Sequence, residues 1–215
     1  MATKGAVLVL CLLMLSALTL LGLSAASDRV LQDRMSSNLL EGSHAGSSAH
    51  TALKWGEQWL FSLDGTTRPA ACSGACTGTQ VIRSKGALSE DAEHKDLNWW
   101  QANANPTGKD PVTGATLDEG LAEQNTGSYW LIEELQTQPV LVSDSKATEI
   151  GYYQVIARGV ASQGSAFSVV QSIIARPWGD ESLNDMLPRP PDQPGICRTE
   201  AKEIPCGRAA WRALQ

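Results

Sequence analysis

The longest run of apolar residues lies near the beginning of the chain. No charged residue occurs between Lys4 and Asp28, and the segment 6–26 consists of Leu, Val, Ala and other apolar or small residues. At about 1.5 Å per residue, a helix over this segment would be about 32 Å long, which matches the hydrocarbon core of a bilayer. The pattern predicts a membrane-spanning helix.

A secretory signal peptide is the alternative explanation of this segment. Ser24, Ala25 and Ala26 provide the small residues that signal peptidase requires, but the apolar stretch exceeds the about 7–15 residues usual for such peptides. The preceding Lys4 favours a cytoplasmic N-terminus, with the rest of the chain outside. We therefore expect a retained anchor, and a secreted protein cut after Ala26 stays as the alternative.

A helical pattern continues beyond the apolar run. Apolar or small residues recur at steps of three and four and form an apolar stripe: Val30, Leu31, Met35, Leu39, Ala45, Ala49, Ala52, Leu53, Gly56 and Leu60. Charged residues take other positions: Arg29, Asp33, Arg34, Glu41, Lys54 and Glu57. Because no proline precedes Pro69, one helix is predicted, with a transmembrane half at 6–27 and an amphipathic half at 28–61.

Residues 62–128 have the composition of loops. Turn signals such as Asn105-Pro106 and Asp110-Pro111 recur there, so only a short strand at 80–83 and a helical turn at 96–101 are predicted. Trp99 and Trp100 in that turn have two interpretations. They can form a surface that binds a sugar or a partner, or they can be buried against the long helix, which is favoured because tryptophan usually belongs to the core of a small domain.

Between Tyr129 and Trp178 the sequence changes to strand-forming residues. Val, Ile and Tyr are concentrated at 129–135, 151–158 and 166–176, and a loop containing Gly and Ser separates the last two runs, which predicts antiparallel strands. One face of this sheet is expected to cover the apolar stripe, because neither element can bury its apolar side alone. The predicted fold class is α+β, with a sheet over 129–178 and an extended C-terminal tail over 179–215.

The five cysteines divide between the apolar run and the remainder of the chain. Cys11 lies within the run, and the other four follow it, at Cys72, Cys76, Cys197 and Cys206. An oxidising compartment permits disulfides, and among three open connectivities we favour Cys72–Cys76 with Cys197–Cys206. A zinc site is the alternative, but neither pair has a neighbouring histidine or the spacing usual for zinc.

Charge and motifs indicate neither a nucleic-acid site nor a catalytic one. The formal net charge is −6, which gives no overall basic field for phosphates. No nucleophile, metalloprotease or phosphate-loop motif occurs in the sequence, and Glu133 and Glu134 alternate sides on a predicted strand. Asp110, Asp118 and Glu119 can supply oxygen ligands to calcium, but they lack the spacing of an EF-hand, which favours a solvated loop. We expect no enzyme, no cofactor and no metal.

Several features together resemble the type IV prepilins. They are a Lys-Gly leader, an apolar segment directly after Gly5, and an amphipathic continuation of the same helix. More narrowly, the chain is similar to the PilX-type minor pilins in segments distributed over most of its length, at 5–9, 20–23, 32–38, 52–57, 129–135 and 153–159.

The resemblance implies a type IV pilin-like fold, with the long helix packed on an antiparallel sheet, and a defined processing. A prepilin peptidase would remove the leader 1–5 by cutting between Gly5 and Ala6, and the new amine would be methylated. The mature chain would span the bacterial inner membrane once, with 62–215 as a periplasmic globular domain. Through its helix it would join other minor pilins and the major pilin in a pilus.

The chain departs from the general pilin pattern at Leu10. At this position, the fifth after the cut, pilins generally carry a glutamate that pairs with the amine of the subunit ahead. An unpaired carboxylate in a bilayer costs about 2.5–3.5 kcal/mol, so an apolar residue suits a subunit with none ahead, and the tip pseudopilin of type II secretion resembles this chain in the same loss. We predict a place in a tip complex with other minor pilins; simple tolerance of an apolar residue is the alternative.

A second class of function competes with the first. In that hypothesis the chain is a membrane-anchored, adhesin-like binding domain at the cell surface, whose helix is only a tether. Trp99, Trp100 and the C-terminal loop would then capture the ligand.

Overall fold

The computed structural model describes residues 4–73, 76, 80–88, 92–117, 127–143, 146–161, 166–179, 187, 194–198 and 203–214. The chain divides into two compact units, Met1–Glu41 and Gly42–Gln215. Helix α1 is continuous from Lys4 to Ser62 and belongs to both. This confirms the prediction of one long N-terminal helix.

In the part of the chain that the structure describes, the globular unit is built around a sheet of seven strands. They are β1 (Ile82–Arg83), β2 (Asn105–Pro106), β3 (Tyr129–Ser143), β4 (Lys146–Val160), β5 (Phe167–Trp178), β6 (Pro194–Arg198) and β7 (Glu203–Leu214). Their order is β1-β3-β4-β5-β7-β6, and β2 also pairs with β3. All the pairs are antiparallel except β1 with β3. The fold is therefore α+β, as predicted.

The three central strands are those that the sequence predicts. Strand β4 pairs with β3 and with β5 in long antiparallel ladders, in which Gln154 lies opposite Glu133 on one side and Ile173 on the other. Alternate residues of β4 point to opposite faces of the sheet. Tyr153, Val155 and Ala157 face the helix, while Ile156 lies in the cluster on the opposite face.

The expected extended tail contains two strands of the sheet. Strand β7 pairs with β5, with an irregularity between Ile173 and Ile174, and β6 pairs with β7. The prediction that the sheet ends at Trp178 is therefore wrong. The tail was expected because the segment after Trp178 contains several prolines and shows no regular periodicity. Backbone pairing with β5 and burial of Ile204 and Cys206 nevertheless place β7 in the sheet.

The last turns of α1 lie on the sheet at very short distance. Ala49, Ala52, Leu53 and Leu60 are buried in one cluster with residues of β3, β4 and β5. A Cβ atom added to Gly159 would collide with backbone atoms of the helix at Ala45 and Ala49. Small residues on both elements therefore let the backbones approach each other, and the C-terminal part of the apolar stripe is covered.

The opposite face of the sheet is covered by the segment before β2. A short 3-10 turn (Ala92–His94) precedes helix α2 (Leu97–Asn103), whose first turn is capped because the carboxylate of Asp96 accepts a hydrogen bond from the Trp99 amide at 2.8 Å. Trp100 is buried there with Leu131, Ile156 and Val169. The interpretation that Trp100 packs against the long helix is therefore wrong, because it lies on the other side of the sheet.

Candidate functional site

The predicted processing and filament positions lie in the first turns of α1. Gly5 and Ala6 follow directly after the first helical residue, and Leu10 lies about one turn further on. The side chain of Leu10 is 59% exposed, and the thiol of Cys11 is free and exposed. The helix is long and apolar enough to cross a membrane.

Large apolar side chains are exposed along the whole described part of the N-terminal unit. From Leu8 to Leu40 each of them is at least 53% exposed. The exposed side chains of the first half belong to a helical segment whose length matches the thickness of a bilayer's hydrocarbon core. We call the remaining ones the distal patch: Val30, Leu31, Met35, Leu39 and Leu40. They lie where charged residues begin, so the apolar surface extends beyond the charge-free span.

The globular unit holds the helix with a buried ion pair. The carboxylate of Glu57 is fully buried; it accepts hydrogen bonds from the Arg208 guanidinium at 2.9 Å and 2.5 Å, and from the Ser172 hydroxyl at 2.6 Å. This cluster joins α1 to β5 and β7. The expectation that Glu57 lies outside the apolar stripe is therefore wrong: Glu57 follows Leu53 by four residues and precedes Leu60 by three, so it shares their buried face.

A second arginine is buried where α1 ends. The guanidinium of Arg176 lies 4.0 Å from the ring centroid of Trp178, and its Nη2 donates to the carbonyl oxygen of Leu63. Burial lowers the pKa of Arg176 to about 10. The cation–π contact and the hydrogen bond offset part of the desolvation of the charge.

His50 and Trp211 connect the helix to β7 near the surface. Their rings stack with centroids 5.1 Å apart. Partial burial lowers the pKa of His50, and the positive charges of Arg208 and Lys54 act in the same direction, while Glu57 opposes them. Protonation of His50 is thus disfavoured in the folded protein.

The tryptophan pair does not form a surface platform. Trp100 is 0% exposed, and Trp99 is half-buried against the same cluster, with the two rings in an edge-to-face contact at 5.7 Å. Binding of a ligand by both rings is therefore excluded, because only Trp99 reaches the surface.

The two disulfides have the connectivity that was favoured from the sequence. Cys72 is bonded to Cys76 and Cys197 to Cys206, which leaves no thiolates in these pairs to bind zinc. Within the described residues, no group of three or more His, Cys, Asp or Glu could hold a metal ion.

Of the three acidic loop residues considered for calcium, Asp110 lies in the described part of the chain. Asp110 accepts hydrogen bonds from the amides of Val112 and Thr113, both at 2.8 Å; the amide of Thr113 first, then that of Val112, lowers the pKa of the Asp110 carboxyl. Asp118 and Glu119 lie outside the described residues. The carboxylate therefore stabilises its own turn.

Glu133 and Glu134 do not converge. Glu133 accepts from the Gly86 amide at 2.5 Å, whereas Glu134 pairs with Arg68 at 2.6 Å. The two carboxylates have different partners, as expected for neighbours on a strand.

None of the family models, curated proteins and solved structures compared with this chain matches it.

The buried cluster of Glu57, Ser172 and Arg208 is a feature of the site that the sequence pattern did not reveal. Ser172 and Arg208 are separated from Glu57 by 115 and 151 residues, so no local spacing brings them together. The one available signal was the helical position of Glu57 between Leu53 and Leu60.

Proposed function

We propose that this chain is a minor pilin that takes part in type IV pilus assembly. The observation that carries the proposal is the difference in side-chain exposure between the two parts of α1. Up to Leu40 the helix exposes large apolar side chains, and from Ala45 onward its small residues form the core of a globular unit. A tether would need only the membrane span.

The distal patch supports assembly with other helices. Apolar surface in water is unfavourable by about 25 cal/mol per Å², and the patch continues past the about 20 residues that a bilayer can cover. Helices of neighbouring subunits, packed side by side, would bury both the span and the patch. Other minor pilins and the major pilin are the proposed neighbours.

The disulfides support an oxidising compartment for the globular unit. Cys72–Cys76 and Cys197–Cys206 both lie in that unit, whereas the free Cys11 lies in the apolar part of α1. Structural disulfides persist outside the cytoplasm. The proposed location is the bacterial inner membrane, with the globular unit in the periplasm, and then the pilus.

The decisive experiment determines the mature N-terminus. In a strain with a prepilin peptidase, mass spectrometry of the membrane-extracted protein should show a chain that begins at Ala6 with a methylated amine. Gly5→Val should block this cleavage. Gly22→Val is the matched control, because a Cβ at Gly22 meets no atom within 4 Å, and it should leave cleavage unchanged. A mature chain that begins at Ser27 would refute the proposal.

We further propose a position at the pilus tip. The support is Leu10, because a subunit with none ahead of it gains nothing from a carboxylate at this position, while the amine of Ala6 can still receive the glutamate of the next subunit. Immunogold labelling should mark filament ends with few particles. Labelling spread evenly along the shafts would contradict this placement.

A further inference from the structure

A groove rich in tryptophan lies in the globular unit where α1 ends. One wall is formed by Trp55 and Trp59, which are four residues apart and half-buried on α1, and the other wall is the loop 109–117. The floor lies over Trp130 of β3, which is itself fully buried. We call this the tryptophan groove. Its volume of about 360 Å³ falls in the range of about 300–1,000 Å³ typical of ligand sites.

The walls of the groove are held in place without a ligand. The loop is closed by backbone hydrogen bonds from Asp110 to Ala115 at 2.8 Å and from Leu117 to Gly108 at 2.9 Å. The floor is fixed because α1 rests on it: a Cβ added to Gly56 would lie 3.1 Å from Cε3 of Trp130. A preformed site of this kind loses little conformational entropy when a ligand binds.

The chemistry of the groove combines aromatic surfaces with a polar rim. The rim carries the amide of Gln58, the hydroxyl of Ser62, the ammonium of Lys109 and the carboxylate of Asp110. The two opposite charges balance, which favours an uncharged ligand. A pyranose ring meets all these conditions, since its C–H face is apolar and its edge carries hydroxyl groups.

We propose that the tryptophan groove binds a neutral glycan. One sugar ring stacks on the exposed part of the Trp55 and Trp59 indoles, and its hydroxyl groups form hydrogen bonds with Gln58 and Asp110. This site lies apart from the buried Trp100, and it does not depend on the proposed role in pilus assembly. It gives the globular unit a binding function of its own.

Glycan titrations of the full chain test the proposal. The protein is held in a detergent without a sugar headgroup, and tryptophan fluorescence is followed while chitotriose, cellotriose and maltotriose are added separately up to about 10 mM. Saturable binding of at least one of them is expected. Trp55→Ala and Gln58→Ala should each weaken it, Trp55→Ala by at least about tenfold. Because Gln58 is exposed, its variant retains the fold.

The matched control is Trp211→Ala. Trp211 is exposed and stacks on His50, so its removal should leave glycan affinity unchanged. The proposal is wrong if no trisaccharide binds, or if Trp55→Ala and Gln58→Ala bind as tightly as Trp211→Ala. It is also wrong if ultracentrifugation shows self-association that Trp55→Ala abolishes, because a second copy then occupies the groove.

Discussion

Glu57 places a carboxylate between helix and sheet, where the interior would otherwise be apolar. Removing a charge from water is costly, and the cost is offset only when hydrogen bonds and an opposite charge are arranged around it. Arg208 and Ser172 supply both. An apolar residue at this position would pack about as well but would form no directional contacts. The hydrogen bonds of Glu57 therefore fix which position of α1 faces β5 and β7.

Removal of Arg208 should therefore be strongly destabilising. Arg208→Ala leaves the Glu57 carboxylate buried without its counter-charge, and we expect the free energy of unfolding to fall by about 3–5 kcal/mol. Urea denaturation of the detergent-solubilised chain, followed by tryptophan fluorescence, measures it. In Glu57→Leu/Arg208→Ala part of the loss should be recovered. Arg212→Ala is the control, because Arg212 is exposed and donates to the neutral Gln171 amide oxygen and not to a buried carboxylate. Equal losses in Arg208→Ala and Arg212→Ala would contradict the prediction.

His50 should make stability depend on pH. Its pKa is lowered in the folded protein, so the unfolded chain binds the proton more tightly, and stability present above the ordinary pKa of about 6.5 is lost as the pH falls below it. The range from pH 7.5 to pH 5 extends about one unit above and more than one unit below that pKa. Over this range we expect the Tm of His50→Gln to decrease less than the Tm of the wild type. His44→Gln, on an exposed turn, should keep the full decrease; an unchanged slope in His50→Gln would contradict this.

At the scale of elements, patterns predicted what local sequence determines. Alternation in β4 and the three- and four-residue steps in α1 gave the central strands and the helix, since each face repeats within one element. Strand β7 was missed because Gly207 and its alanines carry no strand signal, and pairing with the neighbouring strands β5 and β6 orders them. The tryptophan groove was missed for the same reason, because its walls come from three distant segments.

The contact between α1 and β4 should tolerate no extra atom at Gly159. In Gly159→Ala the new methyl group meets the helix backbone at Ala49, which cannot rotate away as a side chain can. We expect a loss of at least about 2 kcal/mol in the free energy of unfolding, measured by urea denaturation. Gly42→Ala is the opposite case: no atom lies within 4 Å of its Cβ, and a helical alanine should stabilise by about 0.5–1 kcal/mol. Equal effects would contradict the close approach.

On the scale of the whole molecule, the two units differ in the exposure of their apolar residues. The described residues of the globular unit include three buried apolar clusters, whereas those of the N-terminal unit expose their large apolar side chains. A chain of this kind needs lipid or neighbouring helices around α1. The solubility of the isolated chain therefore depends on the detergent or lipid that covers the apolar part of α1.

A charge within the span should oppose membrane insertion. We expect Leu15→Arg to raise the apparent free energy of insertion by about 3–4 kcal/mol, because Leu15 lies near the middle of the charge-free segment and the substitution also removes the favourable contribution of leucine. Insertion of the helix into microsomal membranes measures it. Leu40→Arg, which lies beyond the segment, should change it by less than about 1 kcal/mol. Similar changes in both variants would show that the span lies elsewhere.

The distance along the chain between Glu57 and Arg208 has a consequence for biosynthesis. The helix that carries Glu57 leaves the ribosome first, and its counter-charge follows 151 residues later, which takes about 8–30 s at the usual rates of translation. During this interval Glu57 has no counter-charge, and β5 lacks its neighbour β7. The globular unit therefore closes only in a final step, so a nascent chain interrupted before β7 stays a substrate for chaperones and proteases, however complete its helix.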